Sequence, residues 1–174
     1  MYYLQLLYLF LPAFVANASP VLLPRIPLLR HWNEPIDKAL LGEHKTVRGF
    51  LISPLIATFI GFLQYVLQWI PQVQPFMLFP LTLSDALLFG FVLGLGAMVG
   101  DSVKSFLKRK IGILPGRAWP IIDGIDYIVG ALVLFFPFYL PSIDGMVFLL
   151  VIGPLASLVA NVVSYAAGWK DVWY

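Results

Sequence analysis

The run Phe76–Lys110, FMLFPLTLSDALLFGFVLGLGAMVGDSVKSFLKRK, decides the fold. From Phe76 to Val99 it holds a single ionisable side chain, Asp85. As a helix this part is long enough to cross a hydrocarbon core, which needs about 20 residues. At Gly100-Asp101 the run turns charged, and Lys104, Lys108, Arg109 and Lys110 follow. A membrane span that ends in a basic, carboxylate-bearing extension accounts for both halves.

Four further windows meet the same length and apolarity requirement: Tyr2–Leu23, Phe50–Ile70, Ile121–Leu140 and Met146–Gly168. The fold class expected is therefore all-α, a polytopic membrane protein with five transmembrane helices, its two long loops forming a polar site. Composition agrees. Of 174 residues 60% are hydrophobic and 11% charged, with a mean hydropathy of +0.89, outside the range of ordinary soluble domains. The chain carries no evident internal repeat and no low-complexity linker, so it reads as one integral membrane domain over 1–174. Ala16-Asn17-Ala18 resembles a signal-cleavage site, but the positive n-region of a secretory signal is missing, and the first window is read as a retained span.

The basic residues fix an expected orientation. Arg25, Arg30, Lys38, Lys45 and Arg48 fall between spans one and two; Lys104, Lys108, Arg109, Lys110 and Arg117 fall between spans three and four; Lys170 comes after span five. The opposite loops, Pro71–Pro75 and Pro141–Gly145, contain no Lys or Arg. Basic residues gather in cytoplasmic loops, so the N-terminus is expected outside, with the C-terminus and both long loops in the cytoplasm. A net charge of +2 with no basic tail excludes nucleic acid as a partner. The absence of cysteine excludes thiolate catalysis and leaves oxygen ligands or two histidines for any metal. His31 and His44 lack metal-ligand spacing and read as loop residues.

Gly100–Asp126, GDSVKSFLKRKIGILPGRAWPIIDGID, gathers eight of the twenty Asp, Glu, Lys and Arg residues. Ionisable groups are costly beside a bilayer, so such a cluster calls for a function, and a phosphate-rich ligand bound through a metal ion is the leading candidate. At 100° per residue Asp101, Lys104, Ser105 and Lys108 share one helix face about 10 Å long, the scale of a polyphosphate. A solvated helix end with an ordinary Asp–Lys pair would look the same. The same face runs back into the membrane as Gly90, Gly94 and Ala97. Close helix packing of the GxxxG kind is the default meaning of such a stripe, and a groove admitting a lipid to the charged site is the sharper one.

Asp123 and Asp126 lie one turn apart at the start of span four, where the helix dipole accommodates one carboxylate more readily than two. A divalent cation held by Asp101, Asp123 and Asp126 would convert their repulsion into coordination, and oxygen ligands suit Mg2+. Between these elements Pro115-Gly116 gives a tight turn and Arg117 offers a planar fork to phosphate. In the first long loop Lys45 and Arg48, one turn apart beside Thr46, can grip phosphate from the side opposite Lys108 and Arg109, or simply attract anionic lipid. Asn17 and Asn161 need polar partners within the bundle.

Gly100-Asp101, Ser105-Phe106-Leu107-Lys108-Arg109, Pro115-Gly116 and Asp123-Gly124-Ile125-Asp126 stand in the order of the phosphatidate cytidylyltransferase signature, which the block resembles. That signature reads GD, S-x-x-K-R, K-D, P-G-H-G-G and D-R-x-D. The chain departs from it at Leu114-Pro115, at Arg117-Ala118 and at Gly124. Those departures, the compact five-span length and the segments Asn17–Pro20, Lys45–Gly49 and GDSVKSFLKRK are similar to the archaeal branch, the CDP-archaeol synthases.

The resemblance implies an enzyme that joins CTP to a polyprenyl ether-lipid phosphate, 2,3-bis-O-geranylgeranylglycerol 1-phosphate, with Mg2+ and release of pyrophosphate. It implies catalytic roles for Asp101, Lys108, Asp123 and Asp126. Substrate contacts would fall to Asn17, Lys45, Thr46, Arg48, Lys104, Ser105, Arg109, Pro115, Gly116 and Arg117. The lipid chains are then expected against the small-residue face of span three. A small ion-coupled transporter or lipid-binding protein is disfavoured, because its carboxylates would sit near mid-membrane. A CDP-alcohol phosphotransferase would carry a denser Asp motif on one helix.

Overall fold

The computed structural model describes residues 1–114, 117, 119 and 122–169. It contains five α-helices: α1 (Tyr2–Ala18), α2 (Val47–Leu67), α3 (Leu83–Lys110), α4 (Ile122–Phe135) and α5 (Ile143–Ala166). Short 3-10 turns at Ser19–Val21, Leu23–Arg25 and Gln74–Phe76 join them, and among the described residues no strand forms. The all-α membrane bundle expected from the apolar windows is the fold observed. α1 with the turn after it, α2, α3 and α5 are each long and apolar enough to cross a bilayer.

Local chemistry sets where the helices begin and end. The window expected from Phe76 becomes helical only at Leu83, because Pro80 interrupts it and Thr82 caps α3. Thr82 Oγ1 accepts from Asp85 N (3.2 Å) while Thr82 N donates to Asp85 Oδ2 (3.2 Å), a reciprocal capping box. Thr46 caps α2 with its side chain too, accepting from Gly49 N at 3.1 Å. α4 is 14 residues long, about 21 Å, and stops before Pro137, which disfavours helix at the residue preceding it. The span expected over Ile121–Leu140 is thus helical over a shorter stretch. α4 turns one face inward, where Tyr127, Ile128, Ala131 and Phe135 are fully enclosed, and another outward, where Val129 and Val133 are exposed.

α3 is the central post, packed against α1, α2 and α4. Leu6, Phe10, Ala13 and Ala16 of α1 are inaccessible, which makes this helix part of the core and not an appendage. On α3, a Cβ added to Gly90 would lie 2.6 Å from the Ala57 carbonyl oxygen, and one on Gly94 2.9 Å from Pro54 Cα. The stripe Gly90, Gly94, Ala97 is therefore sealed backbone to backbone against α2, with Ala97 wholly buried. The expectation of a lipid groove on that face is corrected. Without a hydrophobic drive between helices in lipid, such close approach is what dispersion requires. Leu55, Phe59, Phe91, Val147, Val151 and Val159 point outward and form the lipid-facing coat.

Candidate active site

Alternating helix directions bring the C-terminal parts of α1, α3 and α5 and the N-terminal ends of α2 and α4 to the same end of the bundle. There a cavity of about 290 Å³ opens, lined by Asn17, Lys45, Asp101, Lys104, Ser105, Lys108, Arg109, Arg117 and Asp123, joined by Leu41, Gly42, His44, Ser157 and Asn161. The geometry rests on Gly100. A Cβ there would come within 3.1 Å of Gly130 Cα and closer still to the Asp126 carbonyl, so only glycine lets α3 and α4 approach enough to face their carboxylates.

Lys104 is the hub. Its Nζ lies 2.9 Å from Asp101 Oδ1, 2.8 Å from Asp126 Oδ2 and 3.4 Å from Asp123 Oδ1. Lys45 reaches in from the first long loop and pairs with Asp101 Oδ2. Lys108 Nζ donates to both Asp123 oxygens at 3.0 Å and to the Arg117 carbonyl at 2.5 Å. Trp119 N donates to Asp123 Oδ2 at 2.5 Å, fixing this carboxylate at the head of α4. Three acidic and three basic groups thus form one continuous, partly buried network. Removing one member of such a network leaves a costly unpaired charge.

Not all hydrogen-bonding capacity in the network is used. Among the described residues Asp126 Oδ1 has no hydrogen-bond partner, while its Oδ2 is ion-paired with Lys104 at 2.8 Å, and Arg109 Nε and Nη1 donate to none. Buried polar atoms ordinarily find partners, so these mark places where a ligand can add them. Among the described residues no three Asp, Glu, His or Cys side chains form a ready metal cage. The three aspartates instead surround an ammonium. Their hard oxygen chemistry and the unpartnered Asp126 Oδ1 fit a hard cation such as Mg2+, at a point the Lys104 ammonium fills here.

Several expectations are revised by position. Arg48 does not face Lys108 and Arg109: it is buried beneath the first loop, donating to the Leu29 carbonyl (2.6 Å) and to Asn33 Oδ1 (3.0 Å). Its guanidinium ties the start of α2 to the Leu29–Asn33 stretch of the loop, because a fork of donors can satisfy two acceptors at once. Thr46 spends its hydroxyl on the α2 cap and borders a small side pocket with Lys45 and Asp101. Ser105 lines the main cavity, but its hydroxyl donates to the Asp101 carbonyl of its own helix at 2.9 Å. Pro115 and Gly116 lie outside the described residues. His44 and Ser157 reach the cavity although nothing in their sequence spacing announces it.

Gly124, which stands where the superfamily signature has arginine, packs on α5. A Cβ there would lie 2.7 Å from Pro154 Cα, so any larger side chain would push the helices apart.

The bundle, its buried ion-pair network and the basic cavity at one end are those of a membrane protein with a polar site at one end of its helices. Over residues 1–174 the sequence matches the family described as CarS-like, CDP-archaeol synthase. It is 37% identical over 169 residues to a CDP-archaeol synthase of Thermococcus gammatolerans, covering 95% of this chain and 93% of that one. It is 34% identical to one from Pyrococcus horikoshii (97% and 95% covered) and 32% identical to one from Methanococcus maripaludis (94% and 92%). A solved structure described as an intramembrane enzyme for archaeal membrane lipids biosynthesis superposes with a TM-score of 0.70 at 27% identity, over 89% of this chain and 91% of that one. The chain belongs to the CarS-like CDP-archaeol synthase family, and with it to the membrane cytidylyltransferases.

Proposed function

We propose that residues 1–174 form a single catalytic domain that transfers a cytidylyl group from CTP to the phosphate of 2,3-bis-O-geranylgeranylglycerol 1-phosphate. An oxygen of the lipid phosphate attacks the α-phosphorus of CTP, the bond from that phosphorus to the β-phosphate bridging oxygen breaks, and pyrophosphate departs. The lipid phosphate is already ionised, so no general base is needed. Catalysis then rests on positioning and charge stabilisation.

The observation that carries this reading is the convergence of Lys45, Lys104, Lys108, Arg109 and Arg117 on one cavity with Asp101 and Asp123 at the end of a lipid-facing bundle. Lys45 and Lys108, held at the wall by carboxylates, are pre-set to neutralise phosphate oxygens. Arg109 has donors in reserve for a second phosphate. Asn17 stands where α1 meets the cavity and can donate to the lipid headgroup. Asp101, Asp123 and Asp126 would hold Mg2+, which when bound supplies positive charge against the triphosphate. The one-sided distribution of Lys and Arg supports a cytoplasmic site with the N-terminus outside.

The test is incubation of the purified protein in detergent with labelled CTP, Mg2+ and either the ether-lipid phosphate or ester phosphatidic acid. CDP-lipid and pyrophosphate are expected in equal amounts, and none after EDTA. Failure to form CDP-lipid from any acceptor would overturn the assignment.

A further inference from the structure

Lys45, Lys104 and Lys108 all stand among the aspartates, but they are not equivalent. Lys45 pairs with Asp101 alone and Lys108 with Asp123 alone. Lys104 touches all three carboxylates, at 2.9 Å, 3.4 Å and 2.8 Å from Asp101, Asp123 and Asp126. Among the described residues it is also the sole ion-pair partner of Asp126, whose side chain is 4% exposed and whose Oδ1 has no hydrogen-bond partner.

Where the oxygens of α3 and α4 converge, Coulomb attraction is strongest at one place, and the Lys104 ammonium is in it. A divalent ion held by the same three aspartates needs that same place. Two cations there would repel at close range, while a bare site would leave Asp126 buried without a counterion, which is costly. Ammonium and ion can therefore only exchange. The way out is at hand, since Lys104 lines the cavity with Lys108 and Arg109. Its flexible stem can carry the ammonium from the aspartates into the space proposed for the triphosphate.

We propose that Lys104 is a displaceable internal counterion, which competes with Mg2+ for Asp101, Asp123 and Asp126 and yields when a triphosphate offers the ammonium new partners. Nucleotide and metal then bind with positive coupling, each raising the other's affinity by the same factor. Metal alone binds weakly, because the displaced ammonium loses its carboxylates and gains nothing in return. This rests on the proposed metal role of the three aspartates, and it makes Lys104 a positioning residue that acts through the ion.

The experiment titrates Mn2+, a spectroscopic stand-in for Mg2+, into the nucleotide-free protein in detergent and reads the electron paramagnetic resonance signal of the free ion. Lys104→Met, close in length but uncharged, should tighten Mn2+ binding by about ten-fold or more, the factor by which a site filled most of the time by a competitor is weakened. Lys45→Met removes the same charge from Asp101 alone and should tighten binding far less. Equal affinities in the parent and Lys104→Met overturn the proposal. So does equal tightening by both variants, which is the signature of net charge. Mn2+ binding left unchanged by the double variant Asp123→Asn, Asp126→Asn would instead remove the aspartate metal site, and the exchange with it. Should Lys104→Met not fold, a pulse of acetic anhydride read by mass spectrometry follows Lys104 in the parent, where its side chain is only 12% exposed. Saturating Mg2+ should speed its acetylation several-fold relative to the exposed Lys38, and an unchanged rate overturns the proposal. Absence of CDP-lipid formation by the parent bears on the cytidylyl-transfer reading alone, since neither readout needs turnover.

Discussion

Two stripes of small residues run through this bundle, and they do opposite things. Gly90, Gly94 and Ala97 on α3 are pressed against Pro54 and Ala57 of α2, leaving no space between the helices. Gly153, Ala156, Ser157 and Ala160 on α5 begin the same way, since Gly153 packs on Ile128, but the next turns stand clear of α1 and leave a cavity. The difference is the partner. α2 presents its own small residues, Ala57 and Gly61, so two backbones can meet. α1 presents Phe14, a large ring that lines the cavity and holds an edge contact with Tyr127 of α4, centroids 6.0 Å apart. A small-residue stripe thus closes against another small surface and opens against a large one.

Two changes probe that contrast and a third tests the loop above it, in falling order of effect. Gly94→Leu on the closed side should destabilise the protein by more than about 3 kcal/mol, since overpacking of a backbone contact cannot be relieved by a rotamer change. Unfolding in detergent titrated with sodium dodecyl sulfate measures it, and a stable Gly94→Leu protein would show that the seam can part. Arg48→Met should cost about 2 kcal/mol, the penalty for leaving the Leu29 carbonyl and Asn33 without their donor. It should also raise the KM for CTP, because the loop carrying Lys45 loses its tie; an unchanged KM would mean that Lys45 is positioned independently. Ala156→Leu on the open side should shift stability by less than about 1 kcal/mol, because the added atoms enter existing space. A large loss on thermal unfolding would show that the α1–α5 cavity is a packed seam after all.

Much of the molecule is legible in the sequence because bilayer physics restricts the options. Apolar length and the placement of eleven basic residues give the helices and the polar end, and Asp101, Lys104, Ser105 and Lys108 do share one face at the cavity. Periodicity says which residues share a face, but it does not say which neighbour covers that face. For that reason the α3 stripe reads from sequence as either closed or open, and only the position of α2 decides between them. Arg48 escapes a sequence reading for a related cause. In a loop, proximity to Lys45 says nothing of direction, and its partners Leu29 and Asn33 are brought to it by the chain's return path. Gly124 becomes intelligible only with Pro154 against it.

The ammonium of Lys104 among Asp101, Asp123 and Asp126 has a consequence for the life of the protein in the membrane. Three carboxylates carrying an internal counterion can insert and assemble without waiting for a divalent ion. If Mg2+ serves the reaction as proposed, its scarcity would slow lipid synthesis while leaving the amount of folded enzyme untouched. The cell would hold a standing reserve that answers at once when the ion returns.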